Sequence, residues 1–193
     1  MLQRSIDDLA QLHYSVPATE LWYRVKTLSL HEGEVERVRL CLVVTSDAVL
    51  RGEKRDEVTP IVEEMCRRCS IELVARQVVG NDFREIRSAV VNWVLRGCDV
   101  VLVSGGTGPS YRDVSIDAVK SLGGRYLPGF VELFRYLSFK NVGARAWLSR
   151  AEAYVVMKSL VIVLPGNPSA VRLALEQLIC PVVRHLIYEI RRW

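Results

Sequence analysis

Apolar runs separated by polar turns dominate the chain from residue 38 onward. Runs that are continuously apolar, or that alternate with a period of two, predict strands at residues 38–44, 71–79, 99–104, 153–157 and 160–164. Apolar positions with helical spacing predict helices at residues 59–69, 82–96, 115–122, 128–137 and 170–191. The order strand, helix, strand, helix, strand in the first half predicts parallel strands joined by crossover helices.

Several residues mark where these helices begin and end. We expect Thr59 to cap the first helix, with Pro60 at the first helical position. Asp82 and Glu85 have the spacing of a capping box at the start of the second helix, which Gly97 is expected to end. A kink in the last helix is expected at Pro181, because proline has no backbone N–H to donate.

The strands are apolar at successive positions, which is typical of a parallel sheet covered on both faces. The sequence therefore predicts an α/β fold: a mostly parallel sheet with helices on both faces, and a small β-hairpin formed by residues 153–157 and 160–164. Ligands of such sheets bind beyond the carboxyl ends of the strands. Loops at residues 45–47, 80–82 and 104–108 are expected to meet there, beside a fourth loop at residues 165–169.

The loop after the third predicted strand is rich in glycine. It begins Ser-Gly-Gly-Thr-Gly-Pro from residue 104, and Arg112 and Asp113 follow. Glycine lets backbone N–H groups approach a ligand closely, and clustered N–H groups bind anions such as phosphate. A carboxylate beside them suits the Mg²⁺ that accompanies phosphates. The loop predicts a phosphate or nucleotide site with a metal, although many strand-to-helix turns carry glycine for turn geometry alone.

Composition and charge narrow the class of protein. The chain has 193 residues, half of them apolar, and a formal net charge of +4. That length fits one domain with additional segments, and the mild charge, without basic runs interleaved with aromatics, predicts no nucleic-acid partner. No apolar stretch approaches a membrane span, and the first residues lack the apolar core of a signal peptide. We therefore expect a soluble, cytoplasmic protein with no membrane partner.

The five cysteines do not predict a metal centre or a secreted disulfide framework. Cys66 and Cys69 form a C-x-x-C within a helical pattern, but no second pair or histidine cluster completes a zinc site. We interpret them as surface or half-buried helix cysteines. The chain is also sparse in Asn, Gln and Met, which is typical of thermophiles, and in some of these an intracellular disulfide would not be surprising.

Residues 1–36 differ from the rest of the chain. They mix aromatic and charged residues and contain no strand-like run. We interpret them as an N-terminal extension that packs on the core or on a neighbouring subunit, and residues 37–193 as the functional domain.

Several motifs together resemble one known family. Residues 104–118 read Ser-Gly-Gly-Thr-Gly-Pro-Ser-Tyr-Arg-Asp-Val-Ser-Ile-Asp-Ala, which is similar to the signature of the MoaB/MogA family of molybdenum cofactor biosynthesis proteins. Ser46-Asp47 closes the first strand as in that family, and Pro128-Gly129-Phe130 precedes a helix. Leu148-Ser149-Arg150 precedes the paired strands, and residues 165–168, Pro-Gly-Asn-Pro, open the last helix. The resemblance covers about residues 37–190.

This resemblance implies a doubly wound molybdopterin-binding domain that assembles as trimers, or as hexamers made of two trimers. It implies adenylylation of molybdopterin by Mg²⁺-bound ATP, the co-substrate, with release of pyrophosphate. Other proteins of the cofactor pathway are further expected partners. The family's two critical aspartates correspond to Asp82 and Asp113.

Both aspartates have an ordinary structural interpretation as well. Asp113 is our candidate for a carboxylate that binds Mg²⁺ or orients phosphate, but an exposed turn carboxylate near a helix N-terminus is also common. Asp82 is a catalytic candidate from its family position, and an N-cap aspartate from its local sequence.

The remaining candidates are expected to bind substrate or nucleotide. Gly105, Gly106, Thr107 and Gly108 would line a phosphate of the nucleotide or pterin, beside Arg112. Ser46 and Asp47 would hold substrate, or are ordinary turn residues. Ser149 and Arg150 would contact the pterin or its phosphate, or form a surface turn with an ion pair. Asn167 and Ser169 are likewise candidates for contacting the pterin or its phosphate. Alternatively, they belong to a rigid turn in which Ser169 caps the helix.

One loop departs from the family pattern. The family commonly carries Asp-x-Ser-Gly after the first strand, whereas residues 56–60 here read Asp-Glu-Val-Thr-Pro, without the glycine. Two other functions remain open. One is a catalytically silent protein that binds molybdopterin or the cofactor. The other is a nucleotide-cleaving enzyme on the same fold, like those related to competence-inducible proteins, which usually carry a further domain that we do not find in this sequence.

Overall fold

The computed structural model describes residues 34–192, and within them the chain forms a six-stranded sheet flanked by helices. The strands are β1 Val38–Thr45, β2 Ile71–Val79, β3 Val100–Ser104, β4 Arg125–Tyr126, β5 Glu152–Val156 and β6 Ser159–Leu164. The helices are α1 Asp47–Leu50, α2 Val58–Cys69, α3 Phe83–Leu95, α4 Ser115–Lys120, α5 Pro128–Val142, α6 Pro168–Ala174 and α7 Val183–Arg191. A 3₁₀ helix, Gly143–Leu148, follows α5, and a π-helical turn, Leu175–Ile179, follows α6.

The strand order places the predicted loops at one edge of the sheet. The order is β2-β1-β3-β6-β5-β4, in which the first four strands are parallel and β5 runs antiparallel to both of its neighbours. This confirms the mostly parallel sheet and the β5–β6 hairpin. The last residues of the parallel strands lie in register, because Thr45 pairs with Val79, and Ser104 with both Val44 and Leu164. The loops that follow these strands are therefore neighbours.

Two hydrophobic cores, one on each face of the sheet, explain the continuous apolar runs. On β1, Leu40 and Leu42 point into the core that contains α2, α5, α6 and α7, whereas Cys41 and Val43 point into the core that contains α3 and α4. Neighbouring residues of a strand face opposite sides, so burial on both sides requires apolar residues at every position. Helices on both faces of the sheet are thus confirmed.

The start of α2 differs from the prediction. The helix begins at Val58, and Thr59, the expected N-cap, lies inside it. The Asp56 carboxylate instead accepts hydrogen bonds from the N–H groups of Val58 and Thr59, at 3.0 Å each. A carboxylate satisfies the unpaired N–H groups of a first turn well, and Pro60 still lies in that turn, where its missing N–H costs little.

The capping of α3 agrees with the prediction in part. Asp82 is the N-cap, and its Oδ1 accepts hydrogen bonds from the N–H groups of Arg84 at 2.8 Å and Glu85 at 3.0 Å. The Glu85 carboxylate does not complete the capping box, because it accepts from the N–H of Gly80 at 2.9 Å. At the other end Gly97 follows the C-cap with φ of +78°, as expected of a glycine that ends a helix.

Four elements were not predicted correctly, and one of them is the 3₁₀ helix Gly143–Leu148, which lies between the predicted elements. The short helix α1 lies where we expected a polar loop, and the two-residue strand β4 was not predicted. Helix α5 continues to Val142, beyond the expected end at residue 137. The expected long last helix is interrupted as Pro181 predicts: Cys180 donates to the carbonyl of Leu175 at 2.8 Å, which closes the π-helical turn, and α7 starts afresh at Val183.

The cysteine interpretation was wrong for Cys66, which is buried, and was confirmed for the half-buried helix position of Cys69, although the disulfide partner of Cys69 was not predicted. Cys69 forms a disulfide with Cys180, and Cys41 forms a second with Cys98. Cys66 is free and buried, and burial raises the pKa of its thiol to about 11. The pairings join residues 57 and 111 positions apart, a separation that no local sequence pattern reveals.

The expected N-terminal extension, residues 1–36, lies almost wholly outside the described residues, and its boundary stays a prediction. Within residues 34–192, no helix is both long and apolar enough to cross a membrane.

Candidate functional site

A cleft of about 530 Å³ lies at the carboxyl edge of the sheet, between the loops that follow β1 and β3. Its size is in the range of small-molecule sites. Six residues singled out in the sequence line it: Ser46, Asp47, Gly105, Gly106, Arg112 and Asp113. The others do not line it: Asp82, Thr107, Gly108, Asn167 and Ser169 are within three residues of a lining residue in the chain, whereas Ser149 and Arg150 are distant in sequence and contact the loop that follows β3. The two sides of the cleft are named here the glycine loop, residues 104–113, and the charged loop, residues 51–57.

The glycine loop approaches its neighbours so closely that two positions exclude a side chain. Gly105 and Gly106 have φ of +115° and +63°. A Cβ atom on Gly105 would lie 2.3 Å from the carbonyl oxygen of Thr45, and one on Gly106 would lie 2.3 Å from the Oγ of Ser115. Real Cβ atoms do not approach oxygen that closely, so these two glycines are required for the loop to form.

The same loop presents backbone donors. The N–H of Gly105 donates to the carbonyl of Leu164 at 2.9 Å and so anchors the loop to β6. Over residues 34–192, the N–H groups of Gly106, Thr107 and Gly108 have no protein acceptor. Three successive N–H groups without an acceptor are typical of a loop that binds an anion.

Asp113, the last residue of the glycine loop, folds back against Gly108. A Cβ on Gly108 would lie 2.6 Å from the Asp113 Oδ2, so the carboxylate packs directly on the glycine. The same oxygen accepts a hydrogen bond from the N–H of Ser110 at 3.2 Å, and Asp113 forms no ion pair within the described part of the chain. Asp113 is thus half-buried beside the N–H groups, and not an exposed turn residue.

Ser149 and Arg150 support the glycine loop from outside the cleft. The Nε of Arg150 donates to the carbonyl of Gly108 at 3.1 Å, its Nη2 donates to the carbonyl of Asp113, and its guanidinium pairs with Asp117 of α4 at 3.1 Å. The N–H of Arg150 also donates to the Thr107 carbonyl at 2.8 Å. These contacts occupy the Arg150 guanidinium, which therefore holds the loop in shape.

Thr107 and Ser149 complete this support. The Ser149 Oγ donates to the Thr107 Oγ1 at 3.3 Å, and Thr107 is buried. The Thr107 hydroxyl thus contacts Ser149, and its N–H is the polar group of this residue that has no protein acceptor within residues 34–192.

Asn81 connects the three loops and was missed by the sequence reasoning. It follows β2, and its N–H donates to the Asp47 Oδ1 at 2.9 Å. Its side-chain Nδ2 donates to the carbonyl of Arg112, and its Oδ1 is buried without a hydrogen-bond partner. An unsatisfied buried oxygen is costly unless a ligand completes it. The only sequence signal for Asn81 was its place in a loop expected to meet the others.

Asp82 lies next to Asn81 and is exposed. Its Oδ1 carries out the N-cap role, so the structural interpretation of Asp82 holds, and its position beside Asn81 leaves the family role open to test. Asn167, and not Ser169, caps α6: its Oδ1 accepts from the N–H of Ser169 at 2.9 Å. Asn167 and Ser169 thus form a capped turn, in which Gly166 reaches the cleft lining.

Ser46 and Asp47 also have local roles. The Ser46 Oγ accepts from the N–H of Val49 at 3.3 Å and caps α1. Asp47 accepts from Asn81 and forms an ion pair with Arg112, at 3.7 Å between Nη2 and Oδ2. Asp47 therefore holds the start of the charged loop against the end of the glycine loop.

The charged loop is anchored by Asp56. Its carboxylate accepts hydrogen bonds from the Thr59 hydroxyl and from Arg76, at 2.9 Å to Nε and 2.6 Å to Nη2. Burial acts to raise the pKa of Asp56, but the hydrogen bonds from Thr59, Arg76 and Val58 outweigh it, and the pKa lies below the ordinary value of 3.8. Asp56 is thus an ionised anchor of the loop.

The oxygens of this cleft fit a magnesium ion that arrives with a phosphate. Over residues 34–192, no group of three His, Cys, Asp or Glu side chains could hold a metal alone. Mg²⁺ is often bound by one or two protein oxygens, together with substrate phosphates and water. The Asp113 carboxylate and the unsatisfied Asn81 Oδ1 are oxygens of this kind.

A mostly parallel sheet with an anion-binding glycine loop and a carboxylate at its carboxyl edge is typical of α/β proteins that bind phosphorylated ligands. The family model described as "Probable molybdopterin binding domain" matches residues 41–185, and the chain belongs to this family. This membership supports a role in molybdenum cofactor biosynthesis.

Known proteins agree with this assignment. The chain is 38% identical over 167 residues to "Molybdenum cofactor biosynthesis protein B" of Staphylococcus aureus strain Mu50, covering 83% of this chain and 99% of that protein. It resembles the "tungsten cofactor synthesizing protein MoaB" of Pyrococcus furiosus with a TM-score of 0.75 and 31% identity, covering 82% and 99% of the two chains. It resembles the "Molybdopterin biosynthesis enzyme MoaB" of Thermus thermophilus with a TM-score of 0.73 and 31% identity, covering 79% and 96%. The α/β fold with a mostly parallel sheet is therefore that of the MoaB and MogA proteins.

Proposed function

We propose that this protein adenylylates molybdopterin with Mg²⁺-bound ATP and releases pyrophosphate. The observation that carries the proposal is the set of three successive N–H groups, Gly106 to Gly108, without a protein acceptor beside the Asp113 carboxylate. Donors for phosphate next to an oxygen ligand for Mg²⁺ are the pair of features that phosphoryl and nucleotidyl transfer require.

The reaction is a displacement at the α-phosphorus of ATP. An oxygen of the terminal phosphate of molybdopterin forms the new bond, the bond from the α-phosphorus to the bridging oxygen breaks, and pyrophosphate leaves with that electron pair. The attacking phosphate is already ionised at neutral pH, so no strong general base is needed. The work of the protein is to position two polyanions and to offset their repulsion.

Each part of the site has a task in this reaction. The N–H groups of the glycine loop bind phosphate oxygens, and Arg150 keeps that loop in shape. Asp113 and the Asn81 Oδ1 would hold Mg²⁺, which supplies positive charge to the phosphates. Asp82 is proposed as the second catalytic carboxylate from its family position, and Ser46, Asn167 and Ser169 as parts of the loops that surround the substrates.

The test is pyrophosphate release from ATP and molybdopterin supplied together, with and without Mg²⁺. We expect release only with all three, and we expect Asp113→Asn to lower the rate by at least about 100-fold. Glu132→Gln is the matched control, because it removes one negative charge at an exposed position of α5 that does not line the cleft. The proposal fails if active molybdopterin gives no release.

The same experiment separates the catalytically silent alternative. A binding protein would retain molybdopterin without turnover, and Asp113→Asn would leave that binding largely unchanged. A nucleotide-cleaving enzyme would consume ATP in the absence of molybdopterin.

We also propose that the protein self-associates, as the trimer or hexamer of the family would require. Large apolar side chains are exposed along α5 and the 3₁₀ helix that follows it, namely Leu133, Tyr136, Phe139, Val142, Trp147 and Leu148. Several large apolar side chains exposed on neighbouring elements are typical of an interface. Trp147→Glu is expected to shift the protein toward monomer in sedimentation, and Met157→Glu, at an equally exposed apolar residue of the β5–β6 turn, is expected not to. Unchanged sedimentation of the Trp147 variant would exclude this surface. A cytoplasmic location stays a prediction.

A further inference from the structure

The charges around the cleft are paired, with two exceptions. Eight charged side chains line it, and six of them form ion pairs within residues 34–192: Asp47 with Arg112, Lys54 with Glu57, Arg51 with Glu53, and Asp56 with Arg76. The two without an ion pair are Asp113 on the glycine loop and Arg55 on the charged loop. One anion and one cation are thus left for a ligand.

The backbone around Arg55 is held in place before any ligand binds. The N–H groups of Glu53 and Lys54 both donate to the carbonyl of Ala48, at 2.8 and 3.1 Å. On the other side of Arg55, Asp56 is fixed by Arg76 and by the first turn of α2. Because the backbone is fixed on both sides, Arg55 loses less conformational freedom on binding than a residue of a free loop would.

The neighbouring acidic groups do not neutralise Arg55. The charge of Asp56 is offset by Arg76 at 2.6 Å, and Glu53 is engaged by Arg51 at 2.7 Å. Arg55 is exposed and lines the cleft, so its guanidinium is available to an anion bound there. A planar guanidinium binds phosphate or carboxylate with two parallel hydrogen bonds, and phosphate is the anion that the glycine loop across the cleft also suits.

We propose that Arg55 is a phosphate-binding residue on the side of the cleft that faces the glycine loop. The glycine loop binds one phosphate through backbone N–H groups, and Arg55 binds another phosphate through its side chain. Two polyanions are the ligands of the proposed adenylyl transfer, on which this assignment rests. Either the diphosphate end of the nucleotide or the phosphate monoester of the pterin supplies the group that Arg55 binds.

This residue belongs to the segment in which the chain departs from its family. The Asp-x-Ser-Gly pattern is replaced after Asp56 by Glu-Val-Thr, so the position of the family's glycine falls on Thr59, in the first turn of α2. Arg55 directly precedes this departure and lies on the charged loop, where it lines the cleft.

The test measures binding and needs no turnover. Isothermal titration of the full chain with inorganic pyrophosphate and, separately, with phenyl phosphate is compared between the natural protein and three variants. Arg55→Gln is expected to weaken the binding of at least one of the two anions by about tenfold or more. Arg55→Lys is expected to lose less affinity than Arg55→Gln but not to match the natural protein, because lysine keeps the charge and cannot form the two parallel hydrogen bonds. Arg135→Gln removes the same charge from an exposed position of α5 and is expected to change neither.

The results identify the source of the phosphate. Weaker binding of pyrophosphate alone assigns Arg55 to the nucleotide end, and weaker binding of phenyl phosphate alone assigns it to the pterin phosphate. The proposal is overturned if the affinity of Arg55→Gln for both anions is within about twofold of that of the natural protein. It is also overturned if Arg135→Gln lowers these affinities as much as Arg55→Gln does. Binding that depends on Arg55 without adenylylation would refute the proposed function and leave this inference standing.

Discussion

The two sides of the cleft are built by different physical means. The glycine loop is fixed by close backbone contacts, such as that between Gly105 and Thr45, and by hydrogen bonds to carbonyls from Arg150. The charged loop is fixed by ion pairs at the surface, by the Asp56 carboxylate and by the N–H groups of Glu53 and Lys54 on the carbonyl of Ala48. We therefore expect the free energy of unfolding to fall steeply when a single atom is added or removed on the glycine-loop side. On the charged-loop side, we expect it to depend mainly on charge and on pH.

The largest difference in stability between the two loops is expected when one glycine of each loop is replaced by alanine. Gly105 and Gly52 both have positive φ, +115° and +74°, but a Cβ on Gly105 meets the Thr45 backbone, whereas one on Gly52 meets nothing within 4 Å. Gly52→Ala should therefore cost about 1 kcal/mol of unfolding free energy, from backbone strain alone. Gly105→Ala should cost roughly 3 kcal/mol or more, because backbone atoms must also move. Urea denaturation measures both, and equal losses would show that the close contact is unimportant.

A smaller effect is expected from the support behind the glycine loop. Arg150→Gln removes donors to the carbonyls of Gly108 and Asp113, so it should cost about 1.5 kcal/mol of unfolding free energy. Arg145→Gln, at an exposed position of the adjoining 3₁₀ helix, should stay within about 0.5 kcal/mol of the natural protein. If both variants unfold alike in urea, Arg150 does not hold the loop.

The charged loop should show the weakest effect, and the one that depends on pH. The pKa of Asp56 is lower in the folded than in the unfolded chain, so its stabilisation is present above the ordinary value of 3.8 and is lost as the pH falls through the folded pKa. Asp56→Asn should therefore be less stable than the natural protein by about 1 kcal/mol at pH 6, and the gap should narrow at pH 3.

The control for this pH effect is Glu53→Gln on the same loop. The ion pair between Glu53 and Arg51 is exposed to solvent. Its loss should therefore lower the free energy of unfolding by no more than about 0.5 kcal/mol. Denaturant titrations at the two pH values check both variants. A gap for Asp56→Asn that is the same at pH 6 and pH 3 would contradict the anchoring role.

The same contrast explains what the sequence could predict about the site. The glycine loop carries its geometry in residue types, because only glycine tolerates the conformations of Gly105 and Gly106, and Asp113 follows nearby in sequence. The role of Asn81 depends on the carbonyl of Arg112, 31 residues away, and no residue pattern records such a contact. Arg55 lacks an ion-pair partner within residues 34–192 because the acidic residues near it pair with other side chains. Those pairings are set by the folded loop and cannot be read from the sequence.

The fold was predictable where burial alone decides the pattern. The strands β1, β3 and β6 are buried on both faces, so their apolar runs reveal them. The edge strand β2 is buried only at its two ends, Ile71 and Val79, and its alternating pattern is what predicted it. The strand β4 has two exposed residues and exists only because β5 lies beside it, so the local sequence contains no signal for it. The helix α1 depends on the Ser46 cap, and four residues are too few for a periodic pattern.

The two disulfides interlock along the chain. Cys69 lies between Cys41 and Cys98, and Cys98 lies between Cys69 and Cys180, so the two covalent rings overlap and neither encloses the other. Any single cut of the backbone between residues 41 and 180 therefore leaves two fragments that a disulfide still joins. A protease that nicks the exposed charged loop would leave a protein that migrates as one species until a reductant is added, and the cleaved chain could keep both sides of its cleft together.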